Sequence, residues 1–264
     1  MTETILVGVD GSGPSDAATR WAIDRASRLG SRMDVLHATE GVDPSRSVDA
    51  SRFLLDRAVR TARSHPGVGA VRGLAVDGDP MEQLIAGSAD AAIVVVGSHK
   101  TGFLRGRLFG SRSLRLVAGA LCPVAIIPEP SGRTRHGIAV GVADTPAGER
   151  AVRFAAAEAA ALGEELTLIH GDAGAQASDI DIDVATAADR LLASARERAI
   201  ATSPGLVVRV RALRRPAAVA LADAAPTSLL LVLAASSGQG RAAVGRTTHD
   251  VLMNLAGPTV VVPA

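Results

Sequence analysis

Residues 91–128 read AAIVVVGSHKTGFLRGRLFGSRSLRLVAGALCPVAIIP. The apolar run Ala91–Val96 ends abruptly at Gly97, glycines recur at Gly102, Gly106 and Gly110, and Ser111–Ala120 has helical spacing. That order is a buried strand, a glycine-rich loop and a helix whose first turn carries Ser111 and Ser113. Backbone N–H groups of such a loop, with the unpaired donors of a helix start, make a ready cradle for phosphate. Lys100, the only lysine of the chain, lies inside this loop; every other basic residue of the Lys/Arg type is arginine. The stretch points to a nucleotide and, with a second apolar strand following the helix, to a parallel α/β sheet.

Outward from this stretch the chain is an internal duplication. ILVGVDGSGPSDAATRWAIDRASRLGSRMDVLHA (Ile5–Ala38) and IAVGVADTPAGERAVRFAAAEAAALGEELTLIHG (Ile138–Gly171) share one pattern without a gap. Each has a strand with Val-Gly-Val, a polar turn, an amphipathic helix, Leu-Gly, and a second strand ending near a histidine. Trp21 falls opposite Phe154, and His37 opposite His170. The ends of the halves match too, CPVAIIP (Cys122–Pro128) beside GPTVVVPA (Gly257–Ala264). A repeat this long means two whole domains, 1–130 and 136–264, joined by the proline- and glycine-bearing linker around Glu129–Gly137.

The spacing predicts strands near 4–9, 33–38, 70–76, 91–96 and 123–128, and helices near 15–29, 50–64, 80–89 and 111–120. The second half predicts strands near 138–142, 165–170, 206–212, 228–234 and 258–263. Alternating strands and helices imply right-handed crossovers and two tandem doubly wound parallel sheets of five strands each, Rossmann-like in class. A ligand crevice is expected at the carboxyl ends of the first and fourth strands, where the winding reverses. Those ends carry Asp10 and Gly97.

Composition excludes several classes. Of 264 residues 47% are hydrophobic and 21% charged, enough for proper cores. A formal net charge of +1 gives no electrostatic case for nucleic acid or an anionic membrane. Aromatics are 2%, with no tyrosine, which removes a base-stacking platform. The single cysteine, Cys122, reads as a core residue, and no Cys/His cluster has metal spacing. No apolar run is long enough to span a bilayer, and MTETILVGVDGSG lacks the regions of a signal peptide, so a soluble cytoplasmic protein is expected.

VGVDGSGPS (Val7–Ser15) resembles the opening of the universal stress protein (UspA-like) family, and the Gly97–Ser113 segment resembles its ATP-binding motif. That motif is Gly, two residues, Gly, nine residues, then Gly followed by Ser or Thr; Gly97 and Gly110-Ser111 stand at its spacing. The likeness covers both halves and implies a fold similar to the adenine nucleotide alpha hydrolases. The resemblance puts adenine and ribose at Gly8, Asp10 and Ala38. It puts the phosphates on Gly97, the following loop, Gly110, Ser111 and Ser113; Val96 and Gly102 complete the set. ATP, with or without Mg, is the implied cofactor. Asp10 can accept hydrogen bonds from sugar or base, or can cap the first helix; the two roles are compatible. His37 and His170 read as structural histidines with one nitrogen satisfied.

Lys100 departs from the motif, standing where the family has its second glycine. Its ammonium can bind phosphate, can close the site, or can sit in solvent. The second half departs further: Ala234 stands opposite Gly97, Ala143 opposite Asp10, Arg246 replaces the serine, and RRP (Arg214–Pro216) reads against GDP (Gly78–Pro80). That half is expected not to bind ATP in the family manner.

No Walker A pattern, no nucleophile elbow and no paired carboxylates appear, so no catalytic residue is assigned. The resemblance implies a non-enzymatic regulatory protein of the stress response, binding an adenine nucleotide in the first domain with little or no hydrolysis and acting on unidentified protein partners. The alternative is a nucleotide-independent protein-interaction scaffold. The closing strands PVAIIP and PTVVVPA are apolar edges. They are expected to pair within the chain as a pseudo-dimer, and the resemblance implies a homodimer beyond it.

Overall fold

The computed structural model describes residues 3–39, 44–98, 111–172, 181–235 and 244–264, with the backbone alone at 44–50, 111 and 181–186. The chain divides into two compact units, Met1–Ser131 and Gly132–Ala264.

In the first unit β1 (Thr4–Gly8), α1 (Gly13–Leu29), β2 (Arg32–Thr39), α2 (Pro44–Arg63), β3 (Val71–Asp77), α3 (Pro80–Gly87), β4 (Ile93–Ser98), α4 (Ser111–Gly119) and β5 (Val124–Pro128) follow one another. The strands are parallel in the order β3-β2-β1-β4-β5. The second unit repeats this with β6 (Ile138–Gly141), α5 (Pro146–Leu162), β7 (Leu166–Gly171), α6 (Asp181–Thr202), β8 (Val208–Leu213), α7 (Ala217–Ala224), β9 (Leu230–Ala234), α8 (Arg246–Met253) and β10 (Thr259–Val262), in the order β10-β9-β6-β7-β8. Helices cover both faces of each sheet, which is why the central strands are apolar at every position: Ile93–Val96 and Leu230–Ala234 are buried throughout.

Local chemistry sets the helix ends. Ser12 caps α1, its side chain accepting from the Ser15 amide, and Gly30 ends the helix in the left-handed conformation at φ 64°. Thr145 and Gly163, the latter at φ 68°, do the same for α5. Asp79 caps α3, with Pro80 in its first turn. Two details differ from expectation. Helix α1 begins at Gly13 under Ser12, so Asp10 is not its cap. Helix α2 begins at Pro44, well before residue 50, because a proline suits the first turn where its missing N–H costs nothing.

The repeat also corrects one register. Strand pairing sets Met33 against Val71 and Leu166 against Val208, and α3 and α7 start nine residues after those partners. Pro216 therefore occupies the cap position held by Asp79, and Arg215 the position of Gly78. Matching the prolines of GDP and RRP places them one residue out of step. Helix α7 accordingly has no side-chain cap.

Candidate functional site

Strand β1 pairs β4 on one side and β2 on the other, so the winding reverses between β1 and β4. The pairing Val7↔Val95 brings Gly8 beside Val96 and Gly97. These residues, with Asp10 just beyond β1, gather at one end of the sheet. Ala38 lies at the end of β2, half-buried and paired to Val76. Ser111 opens α4, and Ser113 sits half-buried in its first turn, its hydroxyl without a hydrogen-bond partner among the described residues. Lys100, Gly102 and Gly110 lie outside the described residues.

The two glycines of this end serve different ends. A Cβ on Gly8 would stand 3.2 Å from Leu84 Cδ1, so its bareness lets α3 settle on the sheet. Gly141 does the same for Leu221 at 3.0 Å. At Gly97 a Cβ would fall 2.4 Å from the Pro14 carbonyl carbon and 2.6 Å from the Ser15 nitrogen, both backbone. Only glycine lets the start of α1 press against the end of β4.

Asp10 organises the turn between β1 and α1. Its Oδ1 accepts from the Ser12 amide at 2.9 Å and the Ser12 hydroxyl at 2.6 Å, and its own amide donates to Ser15 Oγ at 3.1 Å. Ser12 Oγ accepts in turn from the Ser15 amide. His37 Nδ1 donates to the Val9 carbonyl at 2.8 Å, and His170 Nδ1 to Val142 at 3.1 Å, which fixes the ring tautomer in both.

Three contributors escape a reading of the sequence. Ser98, next to Gly97, is 3% exposed, and its hydroxyl has no hydrogen-bond partner among the described residues. Ser12 takes the cap, a role its spacing to Ser15 could have signalled. Arg115 of α4 reaches Asp79 at 3.2 Å and Glu82 at 2.6 Å, binding α4 to the start of α3. The Glu82 backbone N–H first, with Arg115 beside it, holds the Asp79 carboxyl below its usual range.

Cys122 is buried, and burial pushes its thiol up to about 11, leaving almost no thiolate at neutral pH. Among the described residues no helix is long and apolar enough to cross a membrane, and no cluster of His, Cys, Asp or Glu could hold a metal.

Two doubly wound α/β units in tandem, the winding of the first reversing between β1 and β4, define the class of protein. The universal stress protein family matches residues 1–128 and 134–263, once in each unit, and the chain belongs to that family. The universal stress protein Rv2005c of Mycobacterium tuberculosis H37Rv is 33% identical over 190 residues, 63% of this chain and 63% of its own length. The match thus takes in less than two thirds of either protein. A universal stress protein from Archaeoglobus fulgidus superposes over 98% of this chain and 96% of its own with a TM-score of 0.73 at 18% identity. One from Pseudomonas aeruginosa covers 99% of this chain and 93% of its own with a TM-score of 0.67 at 16% identity. At such identities the likeness shows the fold.

Proposed function

We propose that the first unit binds an adenine nucleotide, ATP by the motif, at the carboxyl ends of β1 and β4, and that the protein acts as a regulatory binding module rather than an enzyme. The observation that carries this reading is Ser98. A buried hydroxyl without a partner costs about 1–3 kcal/mol, and such groups are retained where a ligand completes them. It lies beside Gly97, whose bare Cα lets backbone approach closely, at the switch point where open α/β sheets take their ligands.

The residues fit the group. Gly8, Asp10 and Ala38 border the place for adenine and ribose, where a carboxylate such as Asp10 is the kind of group that accepts from sugar or base. Val96, Gly97, Ser111 and Ser113 border the place for the phosphates, and the first turn of α4 carries no acidic residue to repel them. Lys100, Gly102 and Gly110 belong to the same motif and are proposed as phosphate contacts on that ground alone. Bound ATP supplies charge and shape that can reset the surface offered to a partner. Mg, where present, would arrive on the phosphates.

Ser98→Ala separates this reading from a structural one. Removing the orphaned hydroxyl should leave chemical stability unchanged or raised, while ATP affinity falls about tenfold or more, as for a lost bond to a charged group. Equilibrium binding beside urea denaturation reads both. Unchanged affinity in Ser98→Ala would count against the site, and steady release of ADP at saturating ATP would count against a module without turnover.

A further inference from the structure

The second unit holds a cavity of about 270 Å³ between α7 and the face of β6–β8. Its floor is Ala139 of β6 and Thr167 of β7; Arg211 of β8, Arg215 and His136 stand around it, and Asp223 of α7 closes one side. The lining runs from His136, which precedes β6, to Arg215, just past the carboxyl end of β8. It is separate from the nucleotide reading of the first unit.

Three coordinated replacements make it. By strand and helix register, Ala139 stands where the first unit has Leu6, Arg211 where it has Leu74, and Arg215 where it has Gly78. In the first unit Leu6 fills this place: a Cβ on Gly87 would lie 2.6 Å from Leu6 Cδ2. In the second unit the leucine is cut to alanine and two guanidinium groups are brought to the space so opened. Loss of packing alone would leave an apolar hollow; here the walls are cationic and hydroxyl-bearing.

The charges are not used up internally. Arg215 Nη1 donates to Asp223 Oδ2 at 2.5 Å, yet its Nε is buried with no hydrogen-bond partner. The Nε edge of a guanidinium is an edge that takes an oxyanion side-on. Arg211 forms no ion pair among the described residues. Glu165, on the neighbouring stretch of the same face, is already held by Arg209 at 2.6 and 3.0 Å. Two guanidinium groups therefore face one carboxylate around the cavity, with the His136 ring and the Thr167 hydroxyl as further donors.

We propose that this cavity binds a small metabolite bearing an oxyanion, phosphate or carboxylate, gripped between Arg211 and Arg215. The test uses the full chain and two probes, inorganic phosphate and citrate, followed by backbone amide chemical shifts. Saturable shifts at Thr167, Arg211 and Ala220 are expected with at least one probe. Response to phosphate alone assigns a phosphorylated ligand, and response to citrate alone a carboxylate. Arg211→Leu, which installs the residue of the first unit at an exposed edge-strand position, should weaken that binding about tenfold or more. Ala139→Leu should abolish it by refilling the space. Absence of saturable shifts at these amides with both probes would overturn the proposal, as would shifts that persist undiminished in Arg211→Leu.

Discussion

The two units build the same strand end from different residues. In the first, Gly97 near the end of β4 lies against Pro14 and Ser15, the orphaned Ser98 hydroxyl follows it, and the Ser113 hydroxyl of α4 has no partner among the described residues. In the second, β9 ends in Ala234, and Thr248, the counterpart of Ser113, donates its buried hydroxyl to the Ala234 carbonyl at 2.8 Å. The turn after the first strand differs as sharply. Asp10, Ser12 and Ser15 form a bonded cluster, whereas Ala143 and Gly148 leave only the Thr145 cap. At this strand end the second unit bonds its Thr248 hydroxyl within the unit, and the first leaves the Ser98 hydroxyl without a partner among the described residues. Among the described residues one fold thus carries an open end and a sealed one, and the difference there lies in a few side chains.

The other face reverses the contrast. There the first unit is sealed by Leu6 and the second opened by Ala139. The largest expected effect comes from imposing the second pattern on the first: Leu6→Ala, at a position 3% exposed, should cost about 2–5 kcal/mol in urea denaturation. A cost below 1 kcal/mol would mean that the first unit can collapse around the gap, and the comparison of the two faces would lose its packing basis.

Gly97→Ala imposes the residue of β9 on β4. The added methyl meets backbone at 2.4 Å, so α1 or β4 must shift, at about 1–3 kcal/mol, and ATP binding should weaken with it. If stability and affinity both survive, the close approach of α1 to β4 is not what distinguishes the units.

A smaller effect separates α3 from α7. Asp79 caps α3 and meets Arg115, and its carboxyl is held below the usual range; Pro216 offers α7 neither contact. A lowered carboxyl stabilises the fold above its unfolded pKa and loses that contribution as pH falls through the folded value. Asp79→Asn should therefore lower stability at neutral pH and converge with the parent chain in acid, read from denaturation midpoints across pH. A difference that persists unchanged in acid would rule out the charge as its source.

The sheet order and the duplication were legible because strand and helix periods are strong signals, and because two copies of one pattern reinforce each other. The ends of elements were less so. Pro44 starts α2 in a stretch whose apolar spacing sets in later, and the shared proline of GDP and RRP hid a one-residue offset that only strand register resolves. At the site, Gly97 and Asp10 stand out by residue type. Ser98, Ser12 and Thr248 do not, since a hydroxyl that caps, one left without a partner and one that seals a strand end look alike until their partners are in place.

The most direct test of the contrast between an open and a sealed strand end is calorimetric titration of the nucleotide-free chain with Mg·ATP, read for stoichiometry. Saturation at one site per chain, lost on Gly97→Ala and unaffected by Thr248→Val, is the expected result. Two equivalent sites per chain, or no binding at millimolar ATP, would contradict it.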